Sequence, residues 1–483
     1  MSQEKIQEME EILKLQKKLY IEEATPSLEL RQDRLTRCIE MLKKYNVEIL
    51  DCIQEDFGNR DYNSGFLTEI MSTIGSLNHA KENVKKWMKD EKRRSNLSQP
   101  FPIRTLMSLL GSKSWIKYQP LGTVGLISPW NFPINLVLSP LGTIFAAGNR
   151  VMIKPSEFTP ATSDLTEKMF KEFFDASEAA VITGGPDVAA AFSSLSFDHL
   201  LFTGSTQTGK LVMKSASENL VPVTLELGGK SPVIVDENAD LKNTATKVMR
   251  GKTMNAGQIC LAPDYVMVPK GKSEEFVKES EDAVKVMYEN LKYNQNYTSV
   301  INEKHYDRLN SLLEDAKEKG ADIRVINPAD EDFTQQEVHK IPPTLVLNPT
   351  DDMDIMKEEI FGPLLPVKEY DDFQETIGYV NSKDRPLGLY YFGNDKNREN
   401  DVLNNTISGG VTLNDVIWHI GQEDIPFGGV GPSGTGNYHG FDGFKNFSHA
   451  KAIYKQFSAD LLAPMMPPYK GKQLESTKES LLK

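Results

Sequence analysis

GTVGLI, residues 122–127, is a short apolar run of β-like character, and more of the same kind follow it: RVMIK (150–154), AAVITGG (179–185), HLLFTG (199–204) and VTLELGG (223–229). Helix-like stretches separate them. Such alternation predicts βαβ units and a mostly parallel sheet, a fold that gathers ligands at the carboxyl ends of its strands. The α/β character recurs over about 231–430, in PVIVD (232–236), YVMVP (265–269), ADIRVI (321–326) and LLPVKEY (364–370), which predicts a second α/β domain. Upstream, apolar residues recur at helical spacing, as in Ile6, Met9 and Leu13 and again in Leu35, Cys38, Ile39 and Leu42, so the first eighty residues read as amphipathic helices.

A chain of 483 residues also exceeds one ordinary core, which stops growing near ~250–300 residues, so two or three domains are expected. The net charge of −13 opposes binding to nucleic acid and other polyanions. The most apolar region, about 121–147, is broken by Pro129, Pro133 and Pro140, and no membrane span is expected from it. Three cysteines, odd in number and far apart, do not make a disulfide framework of the secreted type, and the start MSQEKIQEMEE lacks an apolar leader core. Both features point to the cytoplasm. Cys38 sits on an apolar helical stripe and Cys52 near a helix end, where each reads as a small packing residue.

The third cysteine, Cys260, lies in NAGQICLAP (255–263). As a nucleophile it needs a lowered pKa or a neighbouring base, because an ordinary thiol is only a few per cent thiolate at neutral pH. Its own nine residues supply neither. LELGGKSP (225–232) sets Glu226 between two leucines beside Gly228 and Gly229, either pointing to water or buried as a general base. In HLLFTGSTQTG (199–209) a strand runs into Gly204, Ser205 and Gly209 ahead of a helix-like stretch, which suits a pyrophosphate, although an ordinary βα turn reads the same way. The spacing matches neither GxGxxG nor a Walker A loop. KPSE (154–157) places Lys154 and Glu157 just past a strand end, where they suit ribose hydroxyls, or where Glu157 simply caps a helix. The seven histidines include no HExxH and the cysteines no zinc spacing, so no metal is expected.

Taken in order, SPWNFP (128–133), KPSE (154–157), FTGSTQTG (202–209), LELGGKSP (225–232), GQIC (257–260), EEIFGP (358–363) and PFGG (426–429) resemble the motifs of the aldehyde dehydrogenase superfamily. CLAPDY (260–265), GPSGTGNYHG (431–440) and FSHAK (447–451) look like its class 3 branch. DFGNRDYNSGFLTEI (56–70) and HKIPPTLVL (339–347) are most similar to the bacterial subfamily that acts on coniferyl aldehyde.

The resemblance implies an α/β fold of three parts. A Rossmann-like NAD-binding domain would occupy 1–101 and 121–226, a catalytic α/β domain 227–445, and a small bridging β-sheet, from 102–120 and 446–457, would pair subunits into a homodimer; 458–483 would be a tail. It implies Cys260 as nucleophile, Glu226 as the base for water, and Asn131 with the Cys260 N–H as oxyanion donors. Lys154, Glu157, Gly204, Ser205, Gly209, Glu359, Phe361 and Trp130 would hold NAD, with NADP as an alternative that Glu157 disfavours. Trp130, Phe132 and Trp418 would line the substrate pocket. The implied reaction is aldehyde to carboxylic acid through a thiohemiacetal and a thioester, with coniferyl aldehyde to ferulate as the leading case. The alternatives are a broad aromatic or medium-chain aldehyde dehydrogenase and, more remotely, a non-catalytic structural or binding relative.

Overall fold

In the computed structural model the described residues are 3–23, 25–95, 97, 101–457 and a few isolated positions beyond, with 101–103 described by backbone only. The tail expected over 458–483 otherwise lies outside them. The chain divides into two compact units, one of residues 1–87 and 120–448 and a smaller one of 88–119 and 449–483.

The larger unit holds two sheets. The apolar runs 122–229 form neighbouring strands of a six-stranded sheet in the spatial order Gly434–Thr435, Val223–Glu226, His199–Thr203, Thr123–Ile127, Arg150–Lys154 and Ala179–Val181. All pairs are parallel except the first, in which Gly434 and Thr435 return from far along the chain to lie antiparallel to Glu226 and Leu225. Thr123–Ile127 and Arg150–Lys154 are buried at every position, as a parallel strand covered on both faces must be. Helix Asn135–Ala147 is buried at almost every residue and carries Pro140 inside it, so the apolar region read as interrupted is a core helix. No helix among the described residues is long and apolar enough to cross a membrane.

The second sheet has seven strands, in the order Asp322–Val325, Thr344–Leu347, Leu364–Tyr370, Tyr265–Pro269, Pro232–Val235, Gly388–Phe392 and Gly410–Leu413. Only the first pair is antiparallel. Its two faces carry separate apolar clusters, around Leu309 and Ile360 on one side and Val248 and Phe276 on the other. Ahead of both sheets, helices Leu28–Lys44 and Asn46–Phe57 bury the predicted stripe, with Cys38 at 0% exposure. Cys52 lies in the middle of its helix rather than near an end, because the chain turns already at Tyr45.

The smaller unit contains a three-stranded sheet, Glu91–Arg93, Lys113–Pro120 and Ser448–Lys455, with the long third strand at one edge. Its first strand comes from upstream of residue 102.

Gly125 sits in the middle of the buried strand Thr123–Ile127, where an added Cβ would lie 2.6 Å from the Phe197 ring and 2.8 Å from Leu200. Gly125→Ala is expected to cost ~1–3 kcal/mol through overpacking and to lower the calorimetric unfolding temperature of that unit. An unchanged midpoint would show that this layer is looser than the contacts indicate.

Candidate active site

Four motifs leave the first sheet along one edge because parallel strands in register end together. Ile127 pairs with both Lys154 and Phe202, and Thr203 pairs with Glu226. SPWNFP, KPSE, TGSTQTG and LELGG therefore start side by side. Lys154 is buried and its ammonium lies 2.7 Å from the half-buried Glu157 carboxylate. Ser205 caps helix Thr206–Ser217, its hydroxyl accepting from the Thr208 N–H at 3.3 Å. A Cβ at Gly209 would lie 2.7 Å from Leu227, so glycine lets this helix approach the strand end that carries Glu226.

Cys260 arrives from the other sheet. After helix Leu241–Thr253 the backbone takes three successive positive φ values, 48° at Asn255, 51° at Ala256 and 74° at Gly257. Two non-glycine residues in that region mark stored strain. The turn is tied down on all sides. The Gln258 amide donates to Asn255 O and Ser299 O, each at 3.0 Å, and its carbonyl oxygen Oε1 accepts from the Ile301 N–H at 3.0 Å. The Lys252 ammonium, fully buried, donates to Pro263 O at 2.8 Å across the loop, and burial pulls its pKa down to about 7. At Gly257 a Cβ would meet Gly362 O at 2.3 Å, so GQIC packs directly on IFGP.

The two halves meet at Asn131. Its side-chain Nδ2 donates to Gln258 O at 3.0 Å, two residues before the thiol, and Asn255 Nδ2 donates back to Asn131 O at 3.1 Å. A carboxamide carries two N–H donors. One is engaged here, which fixes the group while leaving the second for a ligand.

The acids complete the site. Glu226 is buried with neither carboxylate oxygen hydrogen-bonded, and burial raises its pKa well above the carboxylate range. Glu359 lies across the LELGG loop, its Oε2 2.1 Å from where a Cβ on Gly228 would stand, and it accepts from the Gly229 N–H. Burial and then Asp264 push its pKa up to about 8. Cys260 is half-buried, and desolvation, then Glu359, then Glu226 push its thiol well above the ordinary cysteine range. The resting site therefore favours neutral groups. Tyr438, buried, feels both Glu226 and Cys260.

The aromatic residues separate into two places. Trp130 packs against Phe361 at 5.4 Å, His305 at 5.2 Å and Phe57 at 6.2 Å between ring centroids. Phe132 lies under the Arg60 guanidinium at 4.8 Å. Trp418 is 59% exposed on a short 3₁₀ turn, and its neighbours Val416 and Ile417 lie against Gly251 of the helix leading to the thiol. Among the described residues no three His, Cys, Asp or Glu side chains come together as a metal site requires.

Sequence reasoning passed over Asn255, Gln258 and Lys252, and it passed over the clamp behind Glu359. There Lys230 reaches Asp264, Ile355 O at 2.7 Å and Glu358 O at 2.8 Å, while Asp264 accepts from the Ile360 N–H at 2.9 Å. Lys230 in LELGGKSP and Arg308 on helix Glu303–Glu318 were the available signals, being charged residues near motif loops. Arg308 donates to Glu359 O at 3.3 Å.

The chain belongs to the aldehyde dehydrogenase family, whose model matches residues 3–453. It is 53% identical over 464 residues to a probable coniferyl aldehyde dehydrogenase of Caulobacter vibrioides, covering 95% of this chain and 94% of the relative. It is 48% identical over 440 residues to a coniferyl aldehyde dehydrogenase of a Pseudomonas species, covering 91% and 89%. Among solved structures, Staphylococcus aureus AldH in a substrate-bound state superposes with a TM-score of 0.89 at 36% identity, covering 98% of this chain and 99% of that one. Family membership makes the protein an aldehyde dehydrogenase, with NAD(P) as its cofactor.

The electrostatics of the thiol give a testable pH dependence. Below about pH 8 Glu359 is protonated and neutral, and above it the carboxylate opposes the thiolate. Glu359→Gln should therefore leave iodoacetamide alkylation of Cys260 unchanged at pH 7 and accelerate it above pH 8, followed by mass spectrometry of the Cys260 peptide. Equal rates for the two proteins across that range would separate Glu359 from the thiol.

Proposed function

We propose that Cys260 is the nucleophile, Asn131 the oxyanion donor and Glu226 the base for water in the oxidation of coniferyl aldehyde to ferulate. The observation carrying this reading is the meeting of the Cys260 turn with the spare Asn131 amide donor and the unpartnered Glu226 carboxylate. The substrate rests on the identities of 53% and 48% to proteins named for coniferyl aldehyde. A range broader than coniferyl aldehyde is the second reading, favoured by 38% identity over 449 residues to a 4,4'-diaponeurosporen-aldehyde dehydrogenase of Staphylococcus aureus.

The thiol gives up its proton to solvent as its sulfur adds to the carbonyl carbon, and the carbonyl π pair moves to oxygen. That oxygen is met by the Cys260 N–H and the free Asn131 N–H, donors already oriented before charge develops. NAD(P), when bound, supplies the acceptor for the hydride that leaves this carbon. A thioester on Cys260 remains. Glu226, made more basic by burial, takes a proton from water as the water adds to the thioester. Collapse releases the carboxylic acid, and the departing sulfur takes the proton held by Glu226, returning the thiol.

The residues present fit the cofactor. Lys154 and Glu157 offer a paired donor and acceptor for the adenosine ribose, and Gly204, Ser205 and Gly209 with the capped helix start suit its pyrophosphate. Glu359, whose Oε1 is buried without a partner, and Phe361 beside Trp130 would hold the nicotinamide half. The Glu157 carboxylate repels a 2′-phosphate and favours NAD over NADP. Trp130, Phe132 and Trp418 remain assigned to the aldehyde funnel. The division into NAD-binding, catalytic and bridging parts is proposed with the bridging part beginning upstream of residue 102, at strand Glu91–Arg93. A cytoplasmic homodimer is proposed with it, supported by the largely exposed edge strand Ser448–Lys455, a ready template for a second copy. A monomeric mass by analytical ultracentrifugation would remove the dimer.

Cys260→Ala should abolish NADH formation while NAD binding by calorimetry persists, and Asn131→Ala should lower turnover by ~10²–10³, the usual cost of one oxyanion donor. Retained turnover in either variant reassigns that residue. Glu226→Gln should give a single NADH burst per site and then stall; in the parent, because the Glu226 pKa is raised, the deacylation limb should rise at a higher pH than an ordinary carboxylate allows. Steady turnover by Glu226→Gln would contradict the base assignment. Across coniferyl, cinnamic, benzoic and aliphatic aldehydes with both cofactors, coniferyl aldehyde with NAD should give the highest kcat/KM; a preference for aliphatic substrates would exclude the phenylpropenal reading.

A further inference from the structure

The stretch 56–70 that marks the bacterial subfamily contains a buried ion pair that the mechanism above does not use. Arg60 is 2% exposed and Glu69 0%, with Nη2 and Oε1 2.9 Å apart. Replacing such a pair by apolar residues is often neutral or stabilising, so stability alone does not explain its presence. Arg60 Nη2 also donates to Thr68 Oγ1 at 3.3 Å and Nε is buried without a partner, while one further atom of each side chain reaches a single loop. Arg60 Nη1 donates to Asn131 O at 2.8 Å, and Glu69 Oε2 accepts from the N–H groups of Ile134 at 3.1 Å and Asn135 at 2.8 Å.

The Arg60 guanidinium lies over the Phe57 and Phe132 rings at 5.0 and 4.8 Å, and Phe132 belongs to the gripped loop itself. Glu69 lies in the π-helical turn Phe66–Met71, a widened turn of the kind that recurs at functional sites. The Asn131 carbonyl thus receives Arg60 from one side and Asn255, from the Cys260 turn, from the other. Its side chain has its one remaining donor fixed in direction by that double grip.

We infer that Arg60 and Glu69 are positioning residues, which hold the 131–135 backbone so that the Asn131 amide points at the oxygen of the adduct on Cys260. The inference rests on the reading of Asn131 as oxyanion donor. Both are buried behind the loop, and their effect on turnover passes through the Asn131 amide.

The experiment is a double-mutant cycle. kcat/KM for coniferyl aldehyde is measured per NAD-binding site, counted by calorimetry, in the parent, Arg60→Lys, Asn131→Ala and the double variant. Arg60→Lys keeps the charge and loses the fork, and it should lower kcat/KM by ~10–10²-fold, the scale of an ångström-size misplacement, with the NAD dissociation constant unchanged. In the Asn131→Ala background it should add no further loss. If Arg60→Lys fails to fold, the paired Arg60→Met and Glu69→Leu replacement, which leaves no lone buried charge, takes its place in the same cycle. Parent-like kcat/KM, or the same fractional loss with and without Asn131, overturns the positioning role. Near-parent activity of Asn131→Ala by itself shows instead that the oxyanion reading has failed, and the inference with it.

Discussion

One hydrogen bond, from Asn131 Nδ2 to Gln258 O at 3.0 Å, joins the loops on which the site depends. Asn131 stands past the end of a strand of the first sheet, and Gln258 stands in the strained turn that leads out of a helix beside the second. Each partner is held by further bonds. Gln258 spends its amide on Asn255 and Ser299 and its Oε1 on Ile301, while the Asn131 carbonyl accepts from both Arg60 and Asn255. Without this clasp the strain at Asn255 and Ala256 could relax and the thiol would lose its orientation relative to the first sheet.

The second constraint is electrostatic. Two carboxyl groups and a thiol share a desolvated space, and an isolated buried charge there is too costly to persist, so each group shifts toward its neutral form. The effect is visible in all three directions of shift: upward for Glu226, upward to about 8 for Glu359 and upward for Cys260. A buried base with a raised pKa is well matched to abstracting a proton near neutrality. The same environment makes a directed N–H at Asn131 worth more than it would be in water. Geometry and low polarity therefore work together, the clasp supplying direction and burial supplying strength.

Much of this was legible in the sequence because it is local. Short apolar runs such as GTVGLI and RVMIK became buried parallel strands, and motif residues at strand ends followed, since register brings the ends of neighbouring strands to one edge. The resemblance across seven ordered motifs pointed to the chemistry. What was not legible consists of contacts far apart in sequence. Arg60 to Asn131, Lys230 to Glu358 and the return of Gly434 and Thr435 beside Glu226 leave no periodic trace, and a buried arginine reads like any surface charge. Cys52 was misplaced because the break at Tyr45 carries neither glycine nor proline to announce it.

The central claim is that the carbon of the aldehyde becomes covalently attached to Cys260 on its way to the acid. Acid quenching of the protein during turnover of coniferyl aldehyde with NAD, followed by digestion and mass spectrometry, tests it directly. The account predicts that the peptide containing Cys260 carries one feruloyl group, while those containing Cys38 and Cys52 remain unmodified. Full turnover with an unmodified Cys260 peptide at every quench time, or acylation at another residue, would contradict it.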